Sequence, residues 1–193
     1  AALTDEVAKL FSFFSSNYER PDFKHLVVSP YQTRSTYLKL LDREVEHARA
    51  GRPARVILKL NNLVDHGMIE ALYAASGAGV RIDLIVRGIC SLIPGVKGMS
   101  ENIQVRSLLG RYLEHSRVLY FENNGAPEYF LSSADWMKRN LDHRVEVSVP
   151  IRDVQLQSVL AQFLDLQLKD NVHARKVDLT FSKGFLKPKK GGK

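Results

Sequence analysis

The sequence predicts an α/β protein whose mixed β-sheet is flanked by helices on both faces. In the first part of the chain, short β-prone runs alternate with segments of helical periodicity. In the second part, several β-prone runs follow one another, and an amphipathic helical segment comes after them. Alternation favours parallel strands, whereas hairpin-linked runs favour antiparallel ones. We therefore expect one sheet that contains both kinds of pairing.

The first part of the chain has the order β-α-β-α-β after an N-terminal helix. Gly51 and Pro53 end the second helix in the order typical of helix C-termini, and Asp65 is a candidate N-cap for the third. This order predicts parallel strands with right-handed crossovers. The predicted elements are the helix 3–15, the strand 25–30, the helix 33–50, the strand 55–60, the helix 65–76 and the strand 80–86.

The second part begins with a long loop at 88–102, which is rich in Gly, Pro and Ser. The motif NGAP between two β-prone runs predicts a hairpin. The predicted elements are strands at 103–108, 116–123, 127–135 and 143–151, a helical turn at 135–141 and a helix at 154–168. The expected buried face of that last helix consists of Leu156, Val159, Leu160, Phe163, Leu164 and Leu168.

The composition of the 193 residues is that of a soluble globular protein, with 45% hydrophobic and 25% charged residues. The apolar runs are too short to span a bilayer, and the N-terminus AALTDEVAKLFSFF lacks the basic region of a signal peptide. The single cysteine, Cys90, excludes an internal disulfide and a multi-cysteine zinc site, and it fits a reducing compartment. Because the chain starts without Met in mid-pattern, we expect a piece of a longer protein.

Most of the net charge of +7 comes from the C-terminal segment SKGFLKPKKGGK, which holds five lysines and no acidic residue. Without it the chain has 23 basic and 21 acidic residues. We interpret this segment as a solvated, flexible tail, which does not by itself indicate nucleic-acid binding.

Candidate functional residues lie at the predicted strand ends. His115 and Arg117 stand two positions apart where a strand begins, and Arg87 follows the strand VRIDLIV beside Gly88. Ligand sites in such sheets lie at the carboxyl ends of strands. A guanidinium is planar, permanently charged and bidentate toward phosphate, so Arg87 is a candidate oxyanion clamp. A solvated charge at a strand end is an equally good interpretation of Arg87.

The order of polar residues after this point resembles a phospholipase-D-like half-site. That family has His-x-Lys, then a Ser-rich turn with Asn, then Glu on a following strand. Here His115 precedes Arg117, the turn is Ser132-Ser133-Ala134-Asp135, and Glu146 follows. Arg117 stands where Lys is usual and Asp135 where Asn is usual, and both departures argue against ordinary phosphodiesterase chemistry.

Longer runs carry a more specific resemblance. They are KLNNLVDHGMIEALYAAS, GVRIDLIVRGICSLIPGVKGMSENIQVRS, RYLEHSRVLYFENNG and YFLSSADWMKRNLDHRVEVSVPI, between residues 59 and 151. They look like the C-terminal region of bacterial polyphosphate kinases, which polymerise the γ-phosphate of ATP into long-chain polyphosphate. The flanking run FKHLVVSPYQTR and the helix after residue 151 also fit, so the resemblance covers nearly the whole chain.

The resemblance implies a division of the chain. Residues 25–182 would be the last of two phospholipase-D-like domains that together enclose the active site. Residues 1–24 would be a helix and linker from the preceding domain, and residues 183–193 would be a basic flexible tail. The phosphorylated histidine, the magnesium-associated arginines and the aromatic residue that stacks on adenine belong to the preceding domain. No metal site is expected in this chain, and its isolated form is expected to be inactive.

Two positions match nucleotide-contacting residues of the family, Arg87 and His115. His115 would face the phosphohistidine as general acid or electrostatic partner, and Arg87 would hold the equatorial phosphate oxygens. Arg117 would line the phosphate path or serve as a salt-bridge partner. Ser132, Ser133 and Asp135 would orient His115 or only shape the turn.

Other conspicuous residues receive structural interpretations. Trp136 is expected in the core, Glu146 is expected to pair with Arg139 or Arg144, and Cys90 is interpreted as a small buried apolar residue. The remaining histidines lack metal-ligand spacing; they are His25, His47, His66, His143 and His173.

The function expected from the resemblance is reversible transfer of phosphate between ATP and polyphosphate in a homo-oligomeric cytoplasmic phosphoprotein. The expected ligands are ATP or ADP, polyphosphate and Mg²⁺, the last bound mainly by the preceding domain. Peripheral association with the inner membrane stays open, and no specific nucleic acid is expected.

Two other functions are weighed against this one. The first is a phospholipase-D-like phosphodiesterase or lipase completed by dimerisation, against which Arg117 argues. The second is a non-catalytic polyanion-binding module driven by the lysine tail, whose mark would be steep salt dependence and equal affinity for DNA and polyphosphate.

Overall fold

The computed structural model describes residues 2–15 and 22–178, which form one mixed sheet with helices on both faces. This confirms the predicted fold class. The strands are β1 (Val27–Val28), β2 (Arg55–Leu60), β3 (Arg81–Val86), β4 (Ile103–Leu108), β5 (Val118–Phe121), β6 (Glu128–Ser132), β7 (Val147–Ile151) and β8 (Ala174–Val177). The α-helices are α1 (Ala2–Ser15), α2 (Thr33–Arg49), α3 (His66–Gly77), α4 (Lys138–Asp142) and α5 (Val154–Lys169).

The sheet has the order β1-β7-β6-β5-β2-β3-β4-β8. β2, β3 and β4 are parallel neighbours, and all other pairings between the described strands are antiparallel. The predicted parallel arrangement is wrong for β1, which lies four strands away from β2 and pairs only with β7. β5 occupies the edge of β2 that β1 would have needed. β1 is also only two residues long, because the proline at position 30 lacks the N–H that would extend the ladder.

The two faces of β2 bury different cores, because successive side chains of a strand point in opposite directions. Leu58 packs into the larger cluster with Tyr37 of α2 and Leu72 of α3. Ile57 packs on the other face with Leu164 of α5. The sheet is therefore covered on both sides, and its central strands are apolar along most of their length.

Three local predictions agree with the structure. Trp136 is fully buried and stacks on Tyr37, with ring centroids 5.5 Å apart. The side chain of Asp65 caps α3 by accepting a hydrogen bond from the Met68 N–H, 3.1 Å away. β5 and β6 form the predicted hairpin, whose turn contains Asn123 and Asn124 at positive φ.

Two helix faces are less buried than the periodicity predicts. On α5, Leu156 and Val159 are exposed, because only the part of the helix around Leu164 reaches the sheet. On α1, Leu10 is buried against the segment that leads into β1, while Phe11 and Phe14 are exposed. The apolar periodicity thus predicted both helices correctly, but it overstated how much of each apolar face is buried.

β8 is a strand that the sequence did not predict. It pairs antiparallel with β4 and forms the edge of the sheet, although two of the four residues in its run ARKV are charged. No helix in the described part of the chain is long and apolar enough to cross a membrane. The expected basic tail at 183–193 lies outside the described residues.

Candidate functional site

One edge of the sheet gathers the predicted site residues. Arg87 directly follows β3, at the carboxyl end of the parallel strands β2 and β3. β5 runs antiparallel to β2, and its first residue Val118 pairs with Lys59, so the segment that precedes β5 reaches the same edge. That segment carries His115 and Arg117. The topology therefore brings together residues that lie 28 positions apart in the chain.

Arg87 and His115 are in contact. An Nη2 N–H of Arg87 points at Nδ1 of His115 across 3.3 Å. A guanidinium can only donate, so Nδ1 must be the acceptor and the neutral imidazole must carry its proton on Nε2. The pair therefore presents a permanent cation beside an imidazole N–H, with His115 exposed and Arg87 half-buried.

Arg87 is oriented by a hydrogen bond to Asn61, a residue that belongs to no predicted site. The Arg87 Nε–H donates to Oδ1 of Asn61 over 2.9 Å. Asn61 is only 2% exposed, and its backbone N–H donates to Oδ1 of Asp135 over 2.8 Å. The available signal was its position, since two consecutive asparagines directly follow the buried strand β2.

Arg117 forms an ion pair with Asp135. Its Nε and Nη2 donate to the two carboxylate oxygens, each over 3.2 Å. Burial alone would raise the pKa of Asp135, but hydrogen bonds from Arg117, the Asn62 side chain and the Asn61 amide outweigh it and keep the pKa below its ordinary value. Arg117 also donates to the backbone carbonyl of His115, 3.1 Å away. Of the two interpretations of Arg117, the observed contact is that of a salt-bridge partner.

The Ser-rich turn does not touch His115 in its described hydrogen bonds. Ser132 Oγ accepts from the Ala134 N–H over 3.0 Å, as in a serine-containing turn, and Ser133 Oγ donates to Glu146. Glu146 also accepts from the Asn140 side chain over 2.6 Å. The predicted pairing of Glu146 with an arginine was therefore wrong, because Ser133 and Asn140 occupy both of its oxygens.

An ion pair between a buried lysine and a partly exposed glutamate fixes the segment that carries His115. Lys59 of β2 is only 3% exposed and binds Glu114, which also accepts from the Ser116 side chain and from its backbone N–H over 3.0 Å. Burial alone would raise the pKa of Glu114, but the bonds from Lys59 and Ser116 lower it. His115 is thus flanked on both sides by anchored residues. The signal in the sequence was a lysine inside the apolar run RVILKL.

Gly88 allows the loop after β3 to approach β2 closely. Its N–H donates to the Asn61 carbonyl over 2.7 Å. A Cβ atom at this position would lie 2.8 Å from that carbonyl oxygen and 2.7 Å from Oδ1 of Asn62, closer than real Cβ contacts. Glycine is therefore required where the chain turns directly after Arg87.

The described residues include no cluster of side chains that would hold a metal ion by itself. Among residues 2–15 and 22–178, no group of three or more His, Cys, Asp or Glu side chains could hold a metal ion. Two carboxylates of this region are already bound to cations: Asp135, which accepts from the Asn61 N–H, binds Arg117, and Glu114, next to His115 in the chain, binds Lys59.

The fold and the order of residues at this edge define a phospholipase-D-like domain. The solved structure of Nuc, a phospholipase D family member from Salmonella typhimurium, matches with a TM-score of 0.58 over 79% of this chain and 96% of that chain. The two sequences are only 15% identical, so this likeness shows the fold alone.

Within that class, the chain belongs to the polyphosphate kinase family. The family model described as "Polyphosphate kinase C-terminal domain 2" matches residues 26–190. Polyphosphate kinases of Vibrio vulnificus and Escherichia coli are 48% and 45% identical over 95% and 96% of this chain. The crystal structure of polyphosphate kinase from Porphyromonas gingivalis has a TM-score of 0.92 at 40% identity over 96% of this chain and 28% of that chain. The chain spans about a quarter of the curated relatives, 26% and 27% of their lengths.

Proposed function

We propose that this chain forms one half of the active site of an enzyme that reversibly transfers phosphate between ATP and polyphosphate. The observation that carries the proposal is the contact between Arg87 and His115. Among the described residues, Arg87 forms no ion pair with a carboxylate, unlike Arg117. A cation whose charge is not neutralised by the protein is suited to a phosphate oxygen. The membership of the polyphosphate kinase family supports the choice of substrate.

Phosphoryl transfer needs in-line positioning and neutralisation of charge on the transferred group. In the proposed reaction, a histidine in the rest of the polypeptide attacks the γ-phosphorus, its N–P bond forms, and the P–O bond to ADP breaks. Arg87 binds equatorial oxygens, and Nε2–H of His115 donates to an oxygen of the transferred or leaving group. In the second step, a terminal oxygen of polyphosphate attacks, a P–O bond forms and the N–P bond breaks.

The wider context of this function is also proposed. The ligands are ATP or ADP and polyphosphate, with Mg²⁺ held mainly by the rest of the polypeptide, and the complete enzyme is a homo-oligomeric phosphoprotein of the cytoplasm. Residues 25–182 act as the catalytic half, joined through 1–24 to the preceding domain and followed by the tail at 183–193. The isolated chain makes no polyphosphate, because the attacking histidine is not in it.

Calorimetric titration with tripolyphosphate at two salt concentrations tests this proposal. Arg87→Ala should weaken binding about tenfold or more and His115→Ala about threefold, because a charge-assisted hydrogen bond contributes more than a neutral one. Arg52→Ala is the matched control, since Arg52 is exposed at the opposite end of β2, and it should bind as the unchanged chain does. A variant truncated after Ser182 removes the five tail lysines.

Each rival function predicts a different result. Binding that survives Arg87→Ala and His115→Ala but disappears on truncation would identify the tail as a nonspecific polyanion contact and refute the half-site. Hydrolysis of a chromogenic phosphodiester, lost in His115→Ala, would support a phosphodiesterase instead. Synthesis of polyphosphate from ATP by this chain alone would also contradict the half-site, since the chain would then contain its own nucleophile.

A further inference from the structure

Asn61 occupies a position between the buried frame of the domain and the candidate phosphate-binding arginine. Its backbone N–H is bound to Asp135, and its carbonyl accepts the N–H of Gly88. Its side-chain oxygen accepts the Nε–H of Arg87 over 2.9 Å. Three separate hydrogen bonds thus tie this one residue to the turn after β6, to the loop after β3 and to Arg87.

The bond to Nε restricts how the guanidinium can turn. An arginine side chain has many rotamers, and holding it in one of them without help costs conformational entropy at the moment of binding. With Nε bound to Asn61 and Nη2 directed at His115, two of the five N–H donors fix the guanidinium plane. The remaining donors are then presented in one orientation before a ligand arrives.

We propose that Asn61 is a positioning residue that orders Arg87 for phosphate. This inference rests on the proposed function of Arg87 and adds a residue to it. Asn61 has no need to touch the substrate, because it acts through the arginine. Its effect is to reduce the entropy that Arg87 loses when it binds a phosphate oxygen.

The amide, rather than a carboxylate, is the chemically suitable group at this position. A carboxylate would also accept the Nε–H, but it would neutralise the arginine, as Asp135 does for Arg117. The amide oxygen orients Arg87 and leaves its charge intact. The cost is visible in the structure, because Nδ2 of Asn61 is buried and has no described hydrogen-bond partner.

The first test needs no ligand. In the unchanged chain, the Nε–H signal of Arg87 in a ¹H–¹⁵N spectrum should be distinct and slow to exchange with water. Asn61→Ala should move this signal to the chemical shift of solvent-exposed arginines and speed up its exchange with water. Asn61→Asp should keep the signal distinct and slow to exchange. An Nε–H signal that Asn61→Ala leaves unchanged would overturn the proposal.

The second test is a double-mutant cycle with tripolyphosphate as the probe. Asn61→Ala should weaken binding about threefold to tenfold, the usual effect of one hydrogen bond. In the Arg87→Ala background the same change should have almost no effect, because Asn61 acts through Arg87. Asn61→Asp should also weaken binding, this time by neutralising an arginine that stays ordered. Asn102→Ala, far from this edge, is the control that leaves binding unchanged.

The outcomes separate this proposal from the one on which it rests. If Arg87→Ala binds tripolyphosphate as well as the unchanged chain, the proposed function fails, and the spectrum still decides whether Asn61 orders Arg87. If Arg87→Ala loses binding while Asn61→Ala keeps it, only the positioning role is refuted. Full additivity of the two changes would likewise refute it, since Asn61 would then act independently of Arg87.

Discussion

Arg34 and Arg87 both form hydrogen bonds with the segment that follows the parallel strand β2, yet only the charge of Arg34 is compensated by carboxylates. Arg34 binds Asp65 through Nη1 and Nη2 at 2.7 Å, and it binds Asp142 through Nε and Nη2 at 2.8 and 2.7 Å. The hydrogen bonds that Arg34 donates to Asp65, and then those to Asp142, raise the pKa of Arg34 well above its ordinary value. Arg87 instead binds a neutral amide and an imidazole.

This difference identifies the function of each arginine better than its exposure does. Both side chains are partly accessible, but only Arg34 has its charge fully compensated by carboxylates. A compensated arginine joins α2 to the loop after β2 and to α4, so its role is to hold the fold together. An uncompensated arginine that the protein nevertheless orients is suited to an anionic ligand.

The largest expected effect on stability is that of Arg34→Ala. It should lower the free energy of unfolding by about 3 kcal/mol, because it leaves the buried Asp65 and the nearby Asp142 without their shared cation. Binding of tripolyphosphate by the folded protein should stay within about twofold of its original value. Urea denaturation and calorimetry measure the two quantities.

Arg87→Ala should show the opposite pattern, a loss of tripolyphosphate affinity with little loss of stability. It should change the free energy of unfolding by less than about 1 kcal/mol, since only two hydrogen bonds to uncharged groups are lost. The comparison fails if Arg34→Ala loses affinity without losing stability, or if Arg87→Ala unfolds the protein.

The ion pair of Lys59 and Glu114 should respond unequally to the loss of either partner. Glu114→Gln should cost about 2 kcal/mol, because it leaves the ammonium of Lys59, 3% exposed, without a carboxylate. Lys59→Met should cost about 1 kcal/mol or less, because methionine fills a similar volume and the partly exposed side chain of Glu114 keeps its bonds from Ser116. Thermal or urea denaturation of the two variants decides the order, and equal costs would mean that Lys59 is effectively solvated.

The features that the sequence predicted are those that depend on local patterns. Helical periodicity located α2 and α3, NGAP located the hairpin, and the capping role of Asp65 followed from its position before an apolar segment. β8 could not be predicted, because ARKV becomes a strand only through pairing with β4. The place of β1 beside β7 likewise depends on contacts between residues more than 100 positions apart.

The candidate site shows the same division. Arg87 and His115 were singled out by their places at strand ends and then by resemblance, and their contact depends on the order of β3, β2 and β5 in the sheet. Asn61 and Lys59 were missed because each acts through another residue, and no local pattern distinguishes an amide that orients an arginine from one that faces solvent.

The charge of Arg117 is compensated to an extent intermediate between those of Arg34 and Arg87, because Arg117 pairs with one carboxylate. Asp135→Asn should free the charge of Arg117 and raise the affinity for tripolyphosphate about threefold. It should lower the free energy of unfolding at pH 7 by about 2 kcal/mol, because the pair is buried and the new amide NH2 would face N–H donors of Asn61, Asn62 or Arg117. Calorimetry and urea denaturation at neutral pH measure both changes.

The pH dependence of that change provides the finest test. Since the pKa of Asp135 lies below its ordinary value, its ionised form contributes stability above the unfolded pKa of about 4, and this contribution is lost as the pH falls through the folded pKa. The difference in the free energy of unfolding between the unchanged chain and Asp135→Asn should therefore shrink as the pH is lowered below about 4. Asp65 and Asp142 also have lowered pKa values, but they titrate in both proteins and cancel in the difference. If this difference in the free energy of unfolding stayed constant down to complete acid unfolding, the Arg117 and Asp135 pair would contribute through packing rather than through charge. Arg117 would then count, like Arg87, as an arginine whose charge is not compensated.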